Sequence, residues 1–308
     1  MKKLFKIILL SVALLSVLLT PTVQAEDKLN VVTTFYPMYF LAQRIGGDLA
    51  QVDMLLNKGQ DAHSYESTAQ DVVAVQNADL FIYQDDEMEF FVQDLLSVVD
   101  SNETYVLEST QGLELLEGDH HEGEEHREEA HEEDHRHDYD PHTWLDPIFF
   151  SEQALNVKDA FVEVDPDNTA VFEANAQALV EGLEALNNEF IDSLRALEDR
   201  TLVVQHEAFG YLTHAYDLEQ VAITGLITNA EPSAQQLVEI SKFISENEVE
   251  VIYIDPATST SISETIANTT GVELRPLRTL EFVSNDEMEQ GMDYLTLMRE
   301  NLEQLKNH

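Results

Sequence analysis

Cysteine is absent from the 308 residues, which excludes disulfide staples, thiolate metal sites, cysteine nucleophiles and a lipid-bearing cysteine behind an export signal. Any metal or acid–base chemistry must therefore use His, Asp and Glu. Positive charge is scarce as well. Sixteen Lys and Arg stand against 60 Asp and Glu, a formal net charge of −44, which argues against nucleic acid or anionic membranes as partners and leaves cations as the natural ligands. Most of that charge serves to keep a surface solvated, so only clustered carboxylates and histidines can point to a site. Long apolar runs are missing beyond the N-terminus. There Lys2, Lys3 and Lys6 precede a run from Ile7 to Leu19 and a small-residue exit at Val23-Gln24-Ala25, the pattern of a secretory signal peptide over 1–25. The run falls short of the ~20 residues that cross a bilayer comfortably. The expectation is an extracytoplasmic mature chain from about Glu26, periplasmic or at the cell surface, with no membrane span. Familiar catalytic motifs are missing too: no Ser-centred elbow, no His-Glu-x-x-His and no paired carboxylates, so no catalytic residue is assigned and an enzyme is not expected.

What remains alternates between two periodicities. Leu29 to Phe35, Ala50 to Leu55, Asp79 to Tyr83 and Tyr105 to Leu107 read as buried strands, with helices over Met38 to Ile45, Ser67 to Asn77 and Met88 to Val98. From Pro166 to Leu197 apolar residues recur at Phe172, Ala176, Leu179, Leu183, Leu186, Phe190, Leu194 and Leu197. Those steps of three and four keep one stripe of a long helix buried. At ~1.5 Å per residue it would span roughly 45 Å, more than a small domain needs. Strands then resume at Thr201 to Gln205, Gln220 to Thr224, Val249 to Ile254 and near Glu273 to Pro276. Helices fall near 208–216, 234–247 and 262–269, and a terminal one begins at Asp286. The expectation is α/β, with two parallel-sheet lobes, 26–165 and 199–308, joined by one long helix over 166–198 and a cleft between them. Between Glu117 and Asp140 lies a stretch with no large aliphatic residue, which cannot build a core and reads as a surface loop.

Three isolated histidines stand where strands hand over to loops, the place where open α/β sheets bind ligands. His63 sits in Gly-Gln-Asp-Ala-His-Ser-Tyr-Glu, His142 in Asp-Pro-His-Thr-Trp-Leu-Asp-Pro and His206 in Val-Val-Gln-His-Glu-Ala-Phe-Gly-Tyr. Spacing alone cannot show that they converge. The three contexts together resemble the zinc-specific solute-binding proteins of the metal ABC importers, over nearly the whole mature chain, and Asp-Pro-His-Thr-Trp-Leu-Asp-Pro is the most specific piece.

The resemblance implies two α/β lobes joined by one long helix. It also implies a metal site of His63 and His142 from the first lobe, and His206 and Glu281 from the second. Glu281, in Thr-Leu-Glu-Phe-Val-Ser, is the fourth donor by that reading; Asp255, in Tyr-Ile-Asp-Pro-Ala-Thr, and water are its rivals. Three imidazoles and a carboxylate suit tetrahedral Zn2+, whereas Mn2+ asks for more oxygens. Manganese-selective relatives carry a carboxylate in place of the third histidine, so His206 tips the choice. Glu66, Asp146 and Glu207 are the nearby carboxylates expected to orient the imidazoles. Trp144, Tyr65 and His214 are expected to pack or face solvent.

Relatives also carry a His/Asp/Glu-rich insertion before the second ligand. The tract here places His120, His121, His126, His131, His135 and His137 in that position, an array suited to weak zinc collection. The implied function is a high-affinity receptor passing Zn2+ to an ABC transporter permease, acting as a monomer. A secreted zinc-buffering or adhesion protein is the alternative, and a zinc hydrolase a more distant one.

Overall fold

Runs of apolar residues four or five long, too short for helices and bounded by turn residues, set the strands. A computed structural model describes residues 28–56, 60–100, 103–118, 139–224 and 234–306. The signal-peptide segment and the histidine-rich tract lie outside the described residues. In the first lobe β1 (Leu29–Thr33), β2 (Ala50–Met54), β3 (Leu80–Tyr83) and β4 (Tyr105–Glu108) pair parallel in the order β2-β1-β3-β4. Every residue of β3 is buried, as expected for a strand covered on both faces. Helices α1 (Tyr36–Gly46), α2 (Ala69–Gln76) and α3 (Val92–Leu96) make the crossovers. Thr68 begins α2 with a reciprocal capping box to Asp71.

Two helices then run in succession, α4 (Pro147–Val164) and α5 (Thr169–Leu194). The 26-residue α5 buries Phe172, Ala176, Leu179, Leu183, Leu186, Phe190 and Leu194, the stripe that the periodicity predicts. Helix α4 goes unread in that periodicity, although Asp146 caps it through Ile148 N–H and Pro147 opens it, a start signal available in the sequence. Its stripe of Phe150, Ala154, Val157 and Phe161 is buried, and the helix packs beside the long α5.

The second lobe repeats the plan of the first: β5 (Thr201–His206), β6 (Glu219–Thr224), β7 (Val251–Ile254) and β8 (Glu273–Pro276) lie parallel in the order β6-β5-β7-β8. Helices α6 (Gly210–Ala215), α7 (Ala234–Glu246) and α8 (Ser261–Thr270) connect them; α9 (Asn285–Glu289) and α10 (Tyr294–Leu305) follow. One apolar core runs from β1 and β3 through α4 and α5 to Leu202, Val204, Leu277 and Leu297 of the second lobe. A smaller core of Val203, Ile223, Ile244, Ile252 and Ile266 fills the other face of the second sheet. Because the main core is continuous across the lobes, a wide hinge opening would expose apolar surface at ~25 cal/mol per Å2.

Candidate metal centre

In each sheet the order reverses between two strands, β1 and β3 in one lobe and β5 and β7 in the other, and ligand crevices open at the carboxyl ends of strands there. His206 is the last residue of β5. His63 follows β2 in a 3-10 turn, Ala62–Ser64, whose start is held by Asp61: its carboxylate accepts His63 N–H at 3.0 Å and Ser64 Oγ–H at 3.0 Å. His142 stands immediately before a second 3-10 turn, Thr143–Leu145. Glu281 follows β8, five residues past its end.

These four side chains converge from both lobes. One donor atom from each of His63, His142, His206 and Glu281 lies within 4.8 Å of the other three. Imidazole centroids are 5.3 Å apart for His63 and His142, 5.7 Å for His63 and His206, and 5.1 Å for His142 and His206. Glu281 Oε1 is 3.7 Å from Nε2 of both His142 and His206. A tetrahedron with Zn–N of 2.0–2.1 Å has donor–donor edges of about 3.3 Å, so small side-chain shifts would complete it. His142 is wholly buried, and His206 and His63 are 3% and 8% exposed.

Burial pushes the Glu281 carboxyl up to about 8, with the Asp255 and Asp61 charges adding. A cation among the imidazoles reverses that balance, since it favours the charged form of the carboxylate beside it. The site is thus unfavourable for the bare carboxylate and becomes favourable with a cation in it.

Asp140 is the residue that sequence reasoning missed. Its Oδ1 lies 2.8 Å from His142 Nδ1 and accepts His142 N–H at 2.9 Å. With Nδ1–H donated to Asp140, the Nε2 lone pair faces Glu281 and His206, the tautomer that a metal requires. Gly210 of the second lobe closes over this carboxylate: a Cβ there would stand 2.1 Å from Asp140 Oδ2. Two of the carboxylates expected in this role are placed otherwise: Asp146 caps α4 and Glu66 is exposed, while Glu207 is buried next to His206 in the chain. Replacing Asp140 with Asn is expected to weaken metal binding about 10- to 100-fold with the fold retained, as read by competition against a chromophoric chelator. An unchanged affinity would remove Asp140 from the site.

Asp255 is outside the cluster of donors; its carboxylate is occupied by hydrogen bonds to Ala257 and Thr279. Trp144 is fully buried with its ring 5.4 Å from that of His142, Tyr65 packs on Phe91, and His214 is exposed on α6.

The family model described as ZnuA, zinc-uptake complex component A periplasmic, matches residues 31–308. The chain is 35% identical to the zinc-binding lipoprotein AdcA of Streptococcus pneumoniae serotype 4, over 99% of its own length and 61% of AdcA, so it spans about three-fifths of that relative. It is 37% identical to the high-affinity zinc uptake system protein ZnuA of Bacillus subtilis, across 91% of this chain and 88% of the relative. Among solved structures, Zn(II)-bound AdcA from S. pneumoniae superimposes with a TM-score of 0.78 at 33% identity, covering 91% of this chain and 57% of AdcA. The laminin-binding protein Lmb of Streptococcus agalactiae, described as bifunctional with adhesin and metal transporting activity, gives 0.78 at 31% identity, covering 91% and 98%.

Proposed function

The chain belongs to the ZnuA family of zinc-uptake components, and from that premise we propose that it captures Zn2+ outside the cytoplasm and hands it to the permease of an ABC importer. The observation that carries the reading is the donor set: three imidazoles and one carboxylate, drawn from two lobes, with their donor atoms within 4.8 Å. Nitrogen-rich tetrahedral sites favour Zn2+ over Mn2+ or Mg2+, which prefer more oxygens. His63, His142, His206 and Glu281 are the proposed ligands. Filling all four positions leaves no water on the metal, so the site suits capture rather than hydrolysis. The zinc-uptake relative named above, from B. subtilis, supports the transport role. Among the described residues no helix is long and apolar enough to cross a membrane.

The tract with His120, His121, His126, His131, His135 and His137 would act beside the site as a weak collector, raising the local zinc concentration near His142. The continuous core between the lobes favours loading by movement of the ligand-bearing loops over wide lobe closure. Adhesion is a second, compatible reading, supported by the description of Lmb.

Calorimetric titration of the metal-stripped protein with zinc tests the receptor reading, run beside a deletion of 118–138. One tight site retained in the deletion, with additional weak sites lost from it, is the expected result. Weak sites alone, all vanishing with the tract, would replace a receptor by a zinc buffer.

A further inference from the structure

Asp255 immediately follows β7 at the reversal point of the second sheet and is 6% exposed. Its Oδ1 accepts Ala257 N–H at 2.8 Å, and its Oδ2 accepts both Thr279 N–H at 2.8 Å and Thr279 Oγ–H at 2.7 Å. Three donors on one buried carboxylate make a strong, directional anchor. Thr279 is itself buried, and its carbonyl accepts Trp144 Nε1–H at 2.7 Å from the other lobe.

Between Thr279 and Glu281 stands Leu280, with φ of +63°. A branched L-residue is strained there because its Cβ crowds the backbone. Such strain persists only where the surroundings over-determine it. Here the residue before it is tethered by Asp255 and Trp144, and the Leu280 side chain is 1% exposed within the main core. The left-handed turn carries the chain round so that Glu281 Oε1 comes to 3.7 Å from two histidine nitrogens. The same Thr279 supports the indole that lies against His142.

We infer that Asp255 is a positioning residue for the site: by clamping Thr279 it holds Leu280 in its left-handed turn, fixes Glu281 as the fourth donor, and so sets metal retention and preference for four-coordination. The inference rests on the reading of Glu281 as a metal donor. Without the clamp Leu280 relaxes to negative φ, Glu281 withdraws, and water takes its place, leaving an open site that accepts ions of higher coordination.

Asp255→Asn preserves size but turns an amide NH2 toward N–H donors. Circular dichroism first establishes that the metal-stripped variant is folded. Cobalt(II) then serves as the spectroscopic probe, since four-coordinate Co(II) absorbs far more strongly in the visible than five- or six-coordinate Co(II). Wild type is expected to give the intense spectrum. Asp255→Asn should give a weak one, with zinc released to a chelator about 10- to 100-fold faster. A role confined to general stability would leave the Co(II) spectrum of the folded variant unchanged. An Asp255→Asn protein with wild-type spectrum and release rate overturns the inference. Should Asp255→Asn not fold, Thr279→Val, which removes the hydroxyl's contacts with Asp255 and Glu281 and keeps the Thr279 N–H bond, carries the same spectral test. A wild type without a four-coordinate Co(II) spectrum would sink the four-donor reading itself, which keeps the two failures distinct.

Discussion

His206→Ala is expected to weaken zinc binding on the order of 100- to 1000-fold while the protein stays folded. Tetrahedral zinc sites in small domains bind with apparent free energies of about 10–16 kcal/mol, so one of four donors accounts for ~2.5–4 kcal/mol. The fold should tolerate the change because the strand pairing at His206 is made by the backbone, opposite Thr224 of β6. The imidazole itself points to the cluster, where its Nε2 is 3.7 Å from Glu281 Oε1. Alanine leaves a gap that water can fill, turning a closed site into an open one. His214→Ala is the control, an exposed histidine on the following helix whose loss should leave affinity unchanged. His206→Asp should do more than weaken the site: replacing nitrogen by oxygen moves the preference from Zn2+ toward Mn2+. Competition titrations with both metals read the ratio. A His206→Ala affinity within threefold of wild type would place the tight site elsewhere.

The strands and the long helix were legible because their patterns are local: β3 is a four-residue apolar run, and the α5 stripe holds its three-and-four spacing for seven turns. Helix α4 is less legible because its start signal, Asp146-Pro147, lies in the same segment as His142, where cap and metal-ligand signals overlap. His63, His142 and His206 could each be picked out as histidines at strand ends, but their convergence depends on two sheets meeting across a cleft, which no spacing encodes. Choosing between Glu281 and Asp255 required more still. Both are single carboxylates of the second lobe, and what separates them is the left-handed Leu280 and the three hydrogen bonds that occupy Asp255. Asp140 was hidden for a different reason. Its partnership with His142 is made two residues away through a turn, whereas Glu66, three residues past His63, is exposed. Adjacency to a ligand therefore carries little information without the turn conformation.

Asp85→Asn is expected to stabilise the metal-free protein relative to wild type by an amount that grows with pH, by at most ~3 kcal/mol between pH 5 and pH 8. Asp85 and Glu89 follow β3 in the first lobe and are 3% and 0% exposed. Asp85 Oδ1 accepts Met88 N–H at 2.8 Å, and Glu89 Oε2 accepts Gln84 N–H at 2.8 Å and Asp85 N–H at 3.2 Å. Asp85 Oδ2 and Glu89 Oε1 are buried without a hydrogen bond among the described residues, and the carboxylates of Glu87 and Glu108 face Asp85. Burial therefore pushes the Asp85 carboxyl up to about 7, and it holds Glu89 well above the usual carboxylate range, with the Asp85 charge adding. An unfolded aspartate ionises near 3.9. Between that value and about 7 the folded chain holds a proton that the unfolded chain has released, so stability falls as pH rises through the window and the loss is complete above it. The two units from pH 5 to pH 7, at 1.36 kcal/mol each, set the magnitude. Asn keeps the Oδ1 acceptor and removes the charge, which also relieves Glu89, since the two acids titrate as a coupled pair. Urea unfolding of wild type and variant at pH 5 and pH 8 reads the difference directly, and groups common to both chains cancel apart from Glu89, whose relief adds to it. A wild-type-to-variant difference that does not change with pH would mean that Asp85 stays ionised in the fold. The expected trend has a consequence for the metal-bound protein: zinc binds only the folded state and stabilises it by mass action, so its contribution to stability matters most at alkaline pH, where the buried acids cost the most.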